Sequence, residues 1–406
     1  MIDFNLLPSW MSSFAQVFLS RKHVIYIVGG ACRDLALGRR PNDWDFASSA
    51  RPELLLEWFP EAKSVGKAFG TVIVPYHGQL LEVTTFRKES GIKNNRHPLH
   101  LEFSDSLEED LKRRDFTINA MAIDPISMTL IDPFEGLRDL RNGFLQTVGN
   151  PHLRFKEDAL RMLRAARFIS QLGLIDVDPQ CGRAAKKEKR ALHVISSERI
   201  RNELQKLLSG TQVNLALKWL VDQGLWSIIA PGKPLDPCLV DLDQINVSLE
   251  ARLAGLLLCM KQGSNAKFPA FLAFNKKSKL RSWALLRASE DTVLETLSHK
   301  SELKFLLSQL SEELIDAWMA LQSARPRWQE HAEKWKEMWK DISLKKEAVW
   351  MRDLDINGTE LLESCKGHIF PKDLSSLLSY LLRHVHHHPE RNHKDALLKE
   401  IKRTIK

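Results

Sequence analysis

Near Asn150 the residue pattern of this 406-residue chain changes, and this change limits the possible folds more than any other feature. Before Asn150, short β-branched and aromatic runs alternate with glycine turns, which is typical of strands. The predicted strands are Val24–Val28, Trp44–Phe46, Gly70–Tyr76 and Leu80–Phe86, with shorter pieces at Ile118–Ile123 and Thr129–Ile131. After Asn150 only helical periodicity remains. The sequence therefore predicts an α+β protein, in which a small mixed α/β region precedes an elongated helical region.

The helical region carries apolar residues at intervals of three and four. The predicted helices are Glu157–Leu172, Ser197–Leu208, Val213–Gln223, Leu249–Gln262, Glu295–Leu310 and Ala332–Lys340. The prolines at 231, 234 and 237 predict a domain boundary. An amphipathic helix is also expected over about Pro8 to Leu19, since Asp3 and Pro8 argue against a signal peptide.

Charge and cysteine usage restrict the class of protein. The net charge of +8 suits a polyanionic partner such as RNA, but it also suits an ordinary basic protein. Five cysteines lie far apart without CxxC spacing, which argues against a disulfide framework or a zinc site and favours a reducing compartment. No apolar run approaches the ~18 residues of a membrane span. We therefore expect a cytoplasmic protein.

The most informative segment joins a glycine turn to two aspartates. A strand that ends in Gly29 and Gly30 lets the backbone approach a ligand, and the following helix start suits a triphosphate. Arg33 adds a charged fork for phosphate oxygens. If Asp43 and Asp45 lie on a strand, both carboxylates share one face and suit Mg²⁺. Because such a pair also occurs by chance in surface turns, the prediction depends on the glycine turn before it.

Glu82 is the candidate for a third catalytic carboxylate. It stands inside an apolar strand, where a carboxylate is costly unless it is paired or binds a metal. The alternative is an edge strand that turns Glu82 to solvent.

Two later segments carry candidate nucleotide-binding residues. Arg114 precedes an uncharged run, Phe116–Ala122, and would lie at the mouth of a packed element within reach of a nucleotide. Further along, four charged residues recur at every third position of a predicted helix. They are Asp158, Arg161, Arg164 and Arg167. The alternative for both segments is a solvated face.

Asp158 and Arg161 offer a chemical basis for choosing nucleobases. Cytosine and adenine both present an amino group beside an unprotonated ring nitrogen, which a carboxylate and a guanidinium can bind together. Uracil and guanine would leave the same groups unpaired, which is costly in a buried site. This pair would therefore accept CTP and ATP and reject the other nucleotides.

Other features have a more ordinary interpretation. Trp328, Trp335 and Trp339 are predicted to pack in a core, although they and Trp350 could stack on bases. The histidines within His384–His388 are expected to be exposed and solvated, with metal binding as the alternative. Three basic runs are candidate phosphate contacts on an RNA-binding protein. They are Arg183–Arg190, Lys276–Arg281 and Arg391–Lys406.

Taken together, these segments resemble the class II tRNA nucleotidyltransferases, the CCA-adding enzymes of the polymerase-β-like superfamily. The resemblance covers roughly residues 24–210 and includes GGACRD, DWD, LEVTTFR, EEDLKRRDFTINAMA, IDPFEGLRDL, EDALRMLRAARF and SSERIRNELQKLL. It implies a mixed α/β nucleotidyltransferase head followed by a helical neck, body and tail. The implied domains are a catalytic head at 1–142, a nucleotide-recognising neck at 143–210, a body at 211–310 and a tRNA-binding tail at 311–406.

The resemblance also implies roles for individual residues. Asp43 and Asp45 would bind Mg²⁺, and Gly30 and Arg33 would hold the triphosphate and sugar. The remaining candidates would bind the nucleotide: Arg114 directly, Asp158 and Arg161 at the base, Arg164 and Arg167 in support. The tRNA 3′-hydroxyl would attack the α-phosphate of CTP or ATP, with two metal ions assisting and pyrophosphate released.

Several alternatives remain open from the sequence. The enzyme could add only CC or only A, act as a poly(A) polymerase, or be a non-catalytic RNA-binding protein. The segment Ser90–Phe103 has the length that the family needs for the final A, which favours full CCA addition. The assembly is expected to be a monomer or a homodimer.

Overall fold

The computed structural model describes residues 2–65, 70–90, 100–246, 248–365 and 369–404. The chain divides into two units, Met1–Gly232 and Lys233–Lys406. The division falls within the predicted proline boundary. The four domains inferred from the family resemblance are finer than this division and stay a prediction. Most of the segment Ser90–Phe103, including Lys93–Pro98, lies outside the described residues.

A mixed sheet organises the first unit. Its described strands are β1 (Ile25–Val28), β2 (Asp45–Ser48), β3 (Lys63–Ser64), β4 (Thr71–Tyr76), β5 (Gln79–Thr85), β8 (Ala122–Asp124) and β9 (Thr129–Ile131). Their spatial order is β3-β4-β5-β2-β1-β8-β9, and only the β2–β5 pair among them is parallel. Two smaller sheets pair β6 (Arg87–Ser90) with β7 (His100–Phe103) and β10 (Phe144–Leu145) with β11 (Asp176–Val177).

Five of the six predicted strands of the first third are present with ends displaced by at most two residues. The predicted piece Ile118–Ile123 is mostly wrong, because Thr117–Asn119 forms a 3-10 helix and the strand begins only at Ala122. The predicted strand at Trp44–Phe46 begins at Asp45, so Asp43 lies in the bend before it. Trp44 is buried and packs against Trp10, with ring centroids 6.1 Å apart. Of its flanking aspartates, Asp43 is exposed and Asp45 is half-buried.

Helices complete the first unit. They are α1 (Met11–Leu19), α2 (Gly29–Ala36), α3 (Pro52–Trp58), α4 (Leu107–Lys112), α5 (Gly136–Arg141), α6 (Pro151–Glu157), α7 (Leu160–Leu172), α8 (Pro179–Glu188), α9 (Ser197–Leu208), α10 (Val213–Asp222) and α11 (Trp226–Ile229). α1 begins three residues after the expected Pro8. It packs on the sheet through fully buried Phe14 and Phe18, and Phe14 lies 5.2 Å from the Phe46 ring.

The predicted continuous helix Glu157–Leu172 is wrong. α6 ends at Glu157 and α7 begins at Leu160, because Asp158 adopts an extended backbone and its Oδ1 accepts the Leu160 N–H at 3.0 Å. Asp158 therefore does not share a helical face with Arg161, Arg164 and Arg167. This break places the Asp158 carboxylate at the start of α7.

The described part of the second unit is helical. Its helices are α12 (Leu249–Cys259), α13 (Lys276–Arg287), α14 (Asp291–Leu294), α15 (Lys300–Leu307), α16 (Ile315–Ser323), α17 (Gln329–Leu344), α18 (Gly358–Ser364), α19 (Leu374–His387) and α20 (Lys394–Thr404). The predicted helix Glu295–Leu310 is shorter than expected and begins at Lys300. In the described residues, no helix is long and apolar enough to cross a membrane.

Tryptophans and a histidine fill the interior of the second unit. Trp318, Trp328 and Trp335 are buried, and the Trp318 and Trp335 rings lie 5.4 Å apart, as core packing predicts. Trp339 and Trp350 are half-buried. The expectation of exposed histidines is wrong for His386, which is 3% exposed and hydrogen-bonds the Val349 carbonyl through Nε2 at 3.1 Å.

Candidate active site

One cleft in the first unit gathers the predicted site residues. Its volume is about 1220 Å³. Among its lining residues are Gly30, Arg33, Asp43, Asp45, Arg114, Asp158, Arg161, Arg164 and Arg167. Glu82 does not line the cleft.

The glycine turn lies directly against the carboxylate of Asp45. Gly29 has a φ of +63°, which favours glycine. A Cβ added at Gly29 would lie 3.1 Å from Arg114 Nη1 and 3.5 Å from Asp45 Oδ2. A Cβ at Gly30 would lie 3.8 Å from Asp45 Oδ2 and 3.7 Å from Arg33 Nη2. The backbone that would hold phosphates is therefore next to the carboxylate that would hold a metal.

Crowding of carboxylates changes the acidity of Asp45. Burial, followed by the negative charges of Glu82 and Asp43, raises its pKa to about 6, although Arg114 and Arg33 act in the opposite direction. Glu82 pairs with Asp45 across the parallel β2–β5 ladder. Glu82 is exposed rather than enclosed by apolar residues, although β5 is not an edge strand. Its proposed catalytic role stays a prediction.

The donor set fits a hard divalent cation. Asp43 and Asp45 offer carboxylate oxygens, and a bound cation would offset both the burial of the Asp45 charge and the carboxylate repulsion that together raise its pKa. Within the described residues, no group of three or more His, Cys, Asp and Glu side chains is placed to hold a metal. Two protein carboxylates completed by water and substrate phosphates are the usual environment of Mg²⁺.

Arg33 is fixed by two neighbours. Its Nε and Nη2 donate to Asp34 Oδ1 at 3.0 and 2.7 Å, and its Nη1 donates to Asn119 Oδ1 at 2.9 Å. Asn119 in turn donates from Nδ2 to Asp115 Oδ1 at 3.2 Å. Sequence reasoning did not single out Asn119 or Asp115 as functional, although both stand in the block that contains Arg114.

Arg114 is held by buried Asp110. Its Nη2 lies 3.0 Å from Asp110 Oδ2, and Arg113 takes the other carboxylate oxygen at 2.7 Å. The Nε of Arg114 is buried and has no hydrogen-bond partner among the residues that the structure describes. Asp110 therefore orients both arginines at the cleft, and the alternative of a solvated face is excluded for this segment.

The two residues predicted to read the base have separate partners. Asp158 Oδ2 accepts from Arg199 Nη2 of α9 at 2.8 Å. Arg161 Nη1 binds Glu157 Oε2 at 2.5 Å, and its Nη2 donates to the Arg113 carbonyl at 3.1 Å. Arg199 lines the cleft, and sequence reasoning missed it because its partner lies 41 residues earlier.

Arg164 and Arg167 are also paired rather than solvated. Arg164 Nε donates to Asp115 Oδ2 at 2.7 Å. Burial alone would raise the pKa of Asp115, but Arg164 and Arg161 outweigh it and hold that pKa well below its usual range. Arg167 lies 3.0 Å from Glu203, and burial with the nearby Arg164 charge lowers its pKa to about 10.

Phe168 connects these arginines. The guanidinium carbons of Arg33, Arg164 and Arg167 lie 5.6, 5.7 and 4.3 Å from its ring centroid. A buried aromatic face attracts cations of this kind. Arg33 of α2 and the two arginines of α7 therefore all lie against one ring.

Family models match two parts of the chain. Residues 25–146 match the family described as the poly A polymerase head domain. Residues 175–233 match a family described as a probable RNA and SrmB-binding site of polymerase A.

Two similar bacterial proteins are CCA-adding enzymes. The chain is 36% identical to a CCA-adding enzyme of Lactobacillus helveticus over 326 residues, which are 74% of this chain and 80% of the relative. It is 48% identical to the Bacillus licheniformis CCA-adding enzyme over 201 residues, about half of each protein.

A solved structure extends the likeness to nearly the whole chain. The Bacillus stearothermophilus CCA-adding enzyme, solved in complex with CTP, superposes with a TM-score of 0.78 at 30% identity over 98% of both chains. The Thermotoga maritima CCA-adding enzyme, solved with tRNA, shares the fold at a TM-score of 0.69 and 20% identity, covering 98% of this chain and 95% of the other. The predicted α+β fold is thus confirmed, and this chain belongs to the nucleotidyltransferase family of the CCA-adding enzymes.

Proposed function

We propose that this protein adds C, C and A in turn to the 3′ end of tRNA, taking CTP and ATP without a nucleic-acid template. One observation carries the proposal above the others. One cleft is lined both by the glycine turn with the carboxylates Asp43 and Asp45 and by Asp158 and Arg161 at the start of α7. The first group suits phosphoryl transfer, and the second suits the choice of base.

The chain's own residues bind and orient the nucleotide. The backbone at Gly29 and Gly30 approaches the phosphates, and Arg33 holds them with the N–H groups that Asp34 and Asn119 leave available. Asp158 and Arg161 read the base. Because Arg199 already holds one Asp158 oxygen, the carboxylate is oriented before the base arrives.

The reaction is a displacement at the α-phosphorus. The tRNA 3′-hydroxyl oxygen loses its proton to solvent and forms a bond to this phosphorus, the bond to the bridging oxygen breaks, and pyrophosphate leaves. Family membership implies a divalent cation, and we propose Mg²⁺ held by Asp43 and Asp45. When bound, Mg²⁺ supplies charge neutralisation at the phosphates and lowers the pKa of the attacking hydroxyl. Glu82 supports this site by its negative charge next to Asp45.

The direct test supplies purified protein with tRNA lacking CCA, Mg²⁺ and labelled CTP or ATP, alone and together. We expect two C residues from CTP alone and CCA from both nucleotides. Asp45→Asn and Asp43→Asn should abolish incorporation, whereas Asp222→Asn, a matched change outside the cleft, should retain it. Absence of incorporation by the unaltered protein with every nucleotide combination would overturn the proposal.

The same assay separates the related activities. Extension that stops after CC with both nucleotides present indicates a CC-adding enzyme, and addition only to tRNA ending in CC indicates an A-adding enzyme. Long A tracts indicate a poly(A) polymerase. We also propose a cytoplasmic location, which the five free cysteines support because reducing compartments keep thiols unpaired.

A further inference from the structure

One face of α7 lines the cleft along almost the whole helix. Arg161, Arg164, Phe168 and Gln171 follow one another at intervals of three and four, and all border the cleft. At about 1.5 Å per residue, Arg161 and Gln171 lie about 15 Å apart along the axis. The cleft therefore has a long wall with two distinguishable ends.

α9 runs beside α7 in the same direction. Three successive contacts show the direction: Asp158 with Arg199 at 2.8 Å, Arg167 with Glu203 at 3.0 Å, and Ser170 Oγ with the Leu207 carbonyl at 2.6 Å. Lys206 of α9 therefore lies near the C-terminal end of α7.

The proposed nucleotide-binding groups occupy only the first part of this wall. Asp158 and Arg161 lie at its beginning. Arg33 reaches the wall at Phe168, and Asp45 is adjacent to Arg33 across Gly30. Beyond Phe168 the cleft continues without any predicted site residue. We call this part the far end; its lining residues are Gln171, Leu172, Lys206, Ser209, Gly210 and Thr211.

The far end differs chemically from the rest of the cleft. The acidic residues that the structure describes in the lining all lie elsewhere, at Asp34, Asp43, Asp45, Asp115, Glu157 and Asp158. The far end offers one exposed ammonium group together with amide and hydroxyl groups. These groups suit a phosphodiester and ribose hydroxyls, whereas a metal-bound triphosphate needs carboxylates nearby.

The shape of the far end is fixed by close backbone packing. A Cβ at Gly210 would lie 2.1 Å from Ser170 Oγ and 2.5 Å from the Ser170 carbonyl oxygen. The N–H groups of Thr211 and Gln212 donate to that carbonyl at 2.8 and 3.0 Å. The segment after α9 is therefore held against the end of α7, which keeps Lys206 and Thr211 at the cleft.

We propose that the far end binds the sugar–phosphate backbone of the last nucleotides of the RNA primer, on the other side of the reaction centre from the incoming base. Lys206 contacts a backbone phosphate of the primer. The inference rests on the proposed function, since it assumes that the carboxylate end of the cleft takes the incoming nucleotide.

Lys206→Ala tests the proposal, with Lys218→Ala as a control that removes the same charge outside the cleft. For each protein, the KM is measured for tRNA lacking CCA and for CTP. The Kd for the same tRNA is measured at several salt concentrations without nucleotide. We expect Lys206→Ala to raise the KM and Kd for tRNA several-fold and to leave the KM for CTP unchanged. Loss of one single-strand phosphate contact should reduce the log Kd–log salt slope by about 0.7.

Two results would overturn the inference. One is an unchanged tRNA Kd and salt slope in Lys206→Ala. The other is a raised KM for CTP with an unchanged KM for tRNA, which would assign the far end to the nucleotide's phosphates. Failure of the proposed function can be distinguished from failure of this inference. In the first case the unaltered protein adds no nucleotide, but the tRNA Kd of Lys206→Ala can still be compared with that of the unaltered protein.

Discussion

Asn119 stands between a cation and an anion, and its amide is oriented by both. The carbonyl oxygen accepts from Arg33 and the amide nitrogen donates to buried Asp115. Asn119→Asp would place a second carboxylate against Asp115 in a buried site. We expect a loss of about 2 kcal/mol in the free energy of unfolding, the usual scale for a buried hydrogen bond to a charged group. Urea unfolding measures it, and exposed Asn202→Asp is the control.

The same substitution should also weaken nucleotide binding, because Arg33 loses its fixed position when its neighbour is repelled by Asp115. We expect the KM for CTP and the KM for ATP to rise by the same factor. An unaltered KM for both nucleotides in a folded Asn119→Asp protein would show that Asn119 has only a structural role.

Buried His386 should make stability depend on pH. Burial, with the nearby charge of Lys304, lowers its pKa to about 4 despite the hydrogen bond to the Val349 carbonyl. The unfolded chain has a His pKa near 6.5 and binds the proton first as the pH falls. Neutral His386 therefore makes its full contribution to the free energy of unfolding above about pH 6.5. This contribution declines as the pH falls toward 4, and at pH 5 it is smaller by about 2 kcal/mol.

The comparison of His386→Leu with the unaltered protein isolates this effect from the carboxylates that titrate in the same range. Urea unfolding at pH 7.5, 6.5 and 5.5 should show a smaller pH dependence in His386→Leu. The exposed His387→Leu should keep the full dependence. Equal slopes in all three proteins would contradict the assignment to His386.

At the scale of elements, α5 depends on a close approach that only glycine allows. A Cβ at Gly136 would lie 2.1 Å from the Thr117 carbonyl oxygen, which is backbone and cannot move aside. We expect Gly136→Ala to destabilise the protein by about 3 kcal/mol, at the upper end of overpacking effects. Gly263→Ala is the control, since its Cβ would meet open space. The thermal unfolding midpoint of Gly136→Ala should lie clearly below that of Gly263→Ala. Similar midpoints would contradict the explanation.

Local signals explain which elements the sequence predicted. α9 has the predicted bounds Ser197–Leu208, because an apolar stripe follows a serine cap at Ser196. The break before α7 was missed because periodicity does not report the Asp158 side chain on the Leu160 N–H. The late start of α15 had a signal that periodicity alone overlooks: Glu302 accepts from the His299 N–H, a capping pattern.

At the candidate site, too, the sequence predicted what local signals encode and missed contacts between distant residues. Nine of its lining residues were predicted, because they stand in short motifs whose chemistry is local. Their partners were not, since Arg199 holds Asp158 from 41 residues away and Asp115 holds Arg164 from 49. Such pairs depend on helix packing, which no local pattern encodes. The exposure of Glu82 was likewise fixed by which face of the sheet is buried.

At the scale of the whole molecule, the predicted site residues lie in the first unit, whereas His386 lies in the second. Chains with more than one compact unit often unfold in more than one step. We expect Asn119→Asp to lower the stability of one step and His386→Leu to alter only the other. Tryptophans report on both units, since Trp44 is buried in the first and Trp318 in the second. One transition shifted equally by both variants would show that the units unfold together.

Nucleotide binding provides the sharpest test at this scale. A ligand that binds only the folded form stabilises it by RT ln(1 + [L]/Kd), about 2.7 kcal/mol at one hundred times its Kd. Because Asp45, Arg33 and Asp158 all belong to the first unit, CTP with Mg²⁺ should raise the midpoint of the step that Asn119→Asp lowers. The midpoint of the unfolding step that responds to His386→Leu should not change. Differential scanning calorimetry with CTP, ATP or UTP measures both steps at once, and UTP should shift neither, because Asp158 and Arg161 would face unpaired groups. A shift confined to the second step would place the nucleotide outside the cleft.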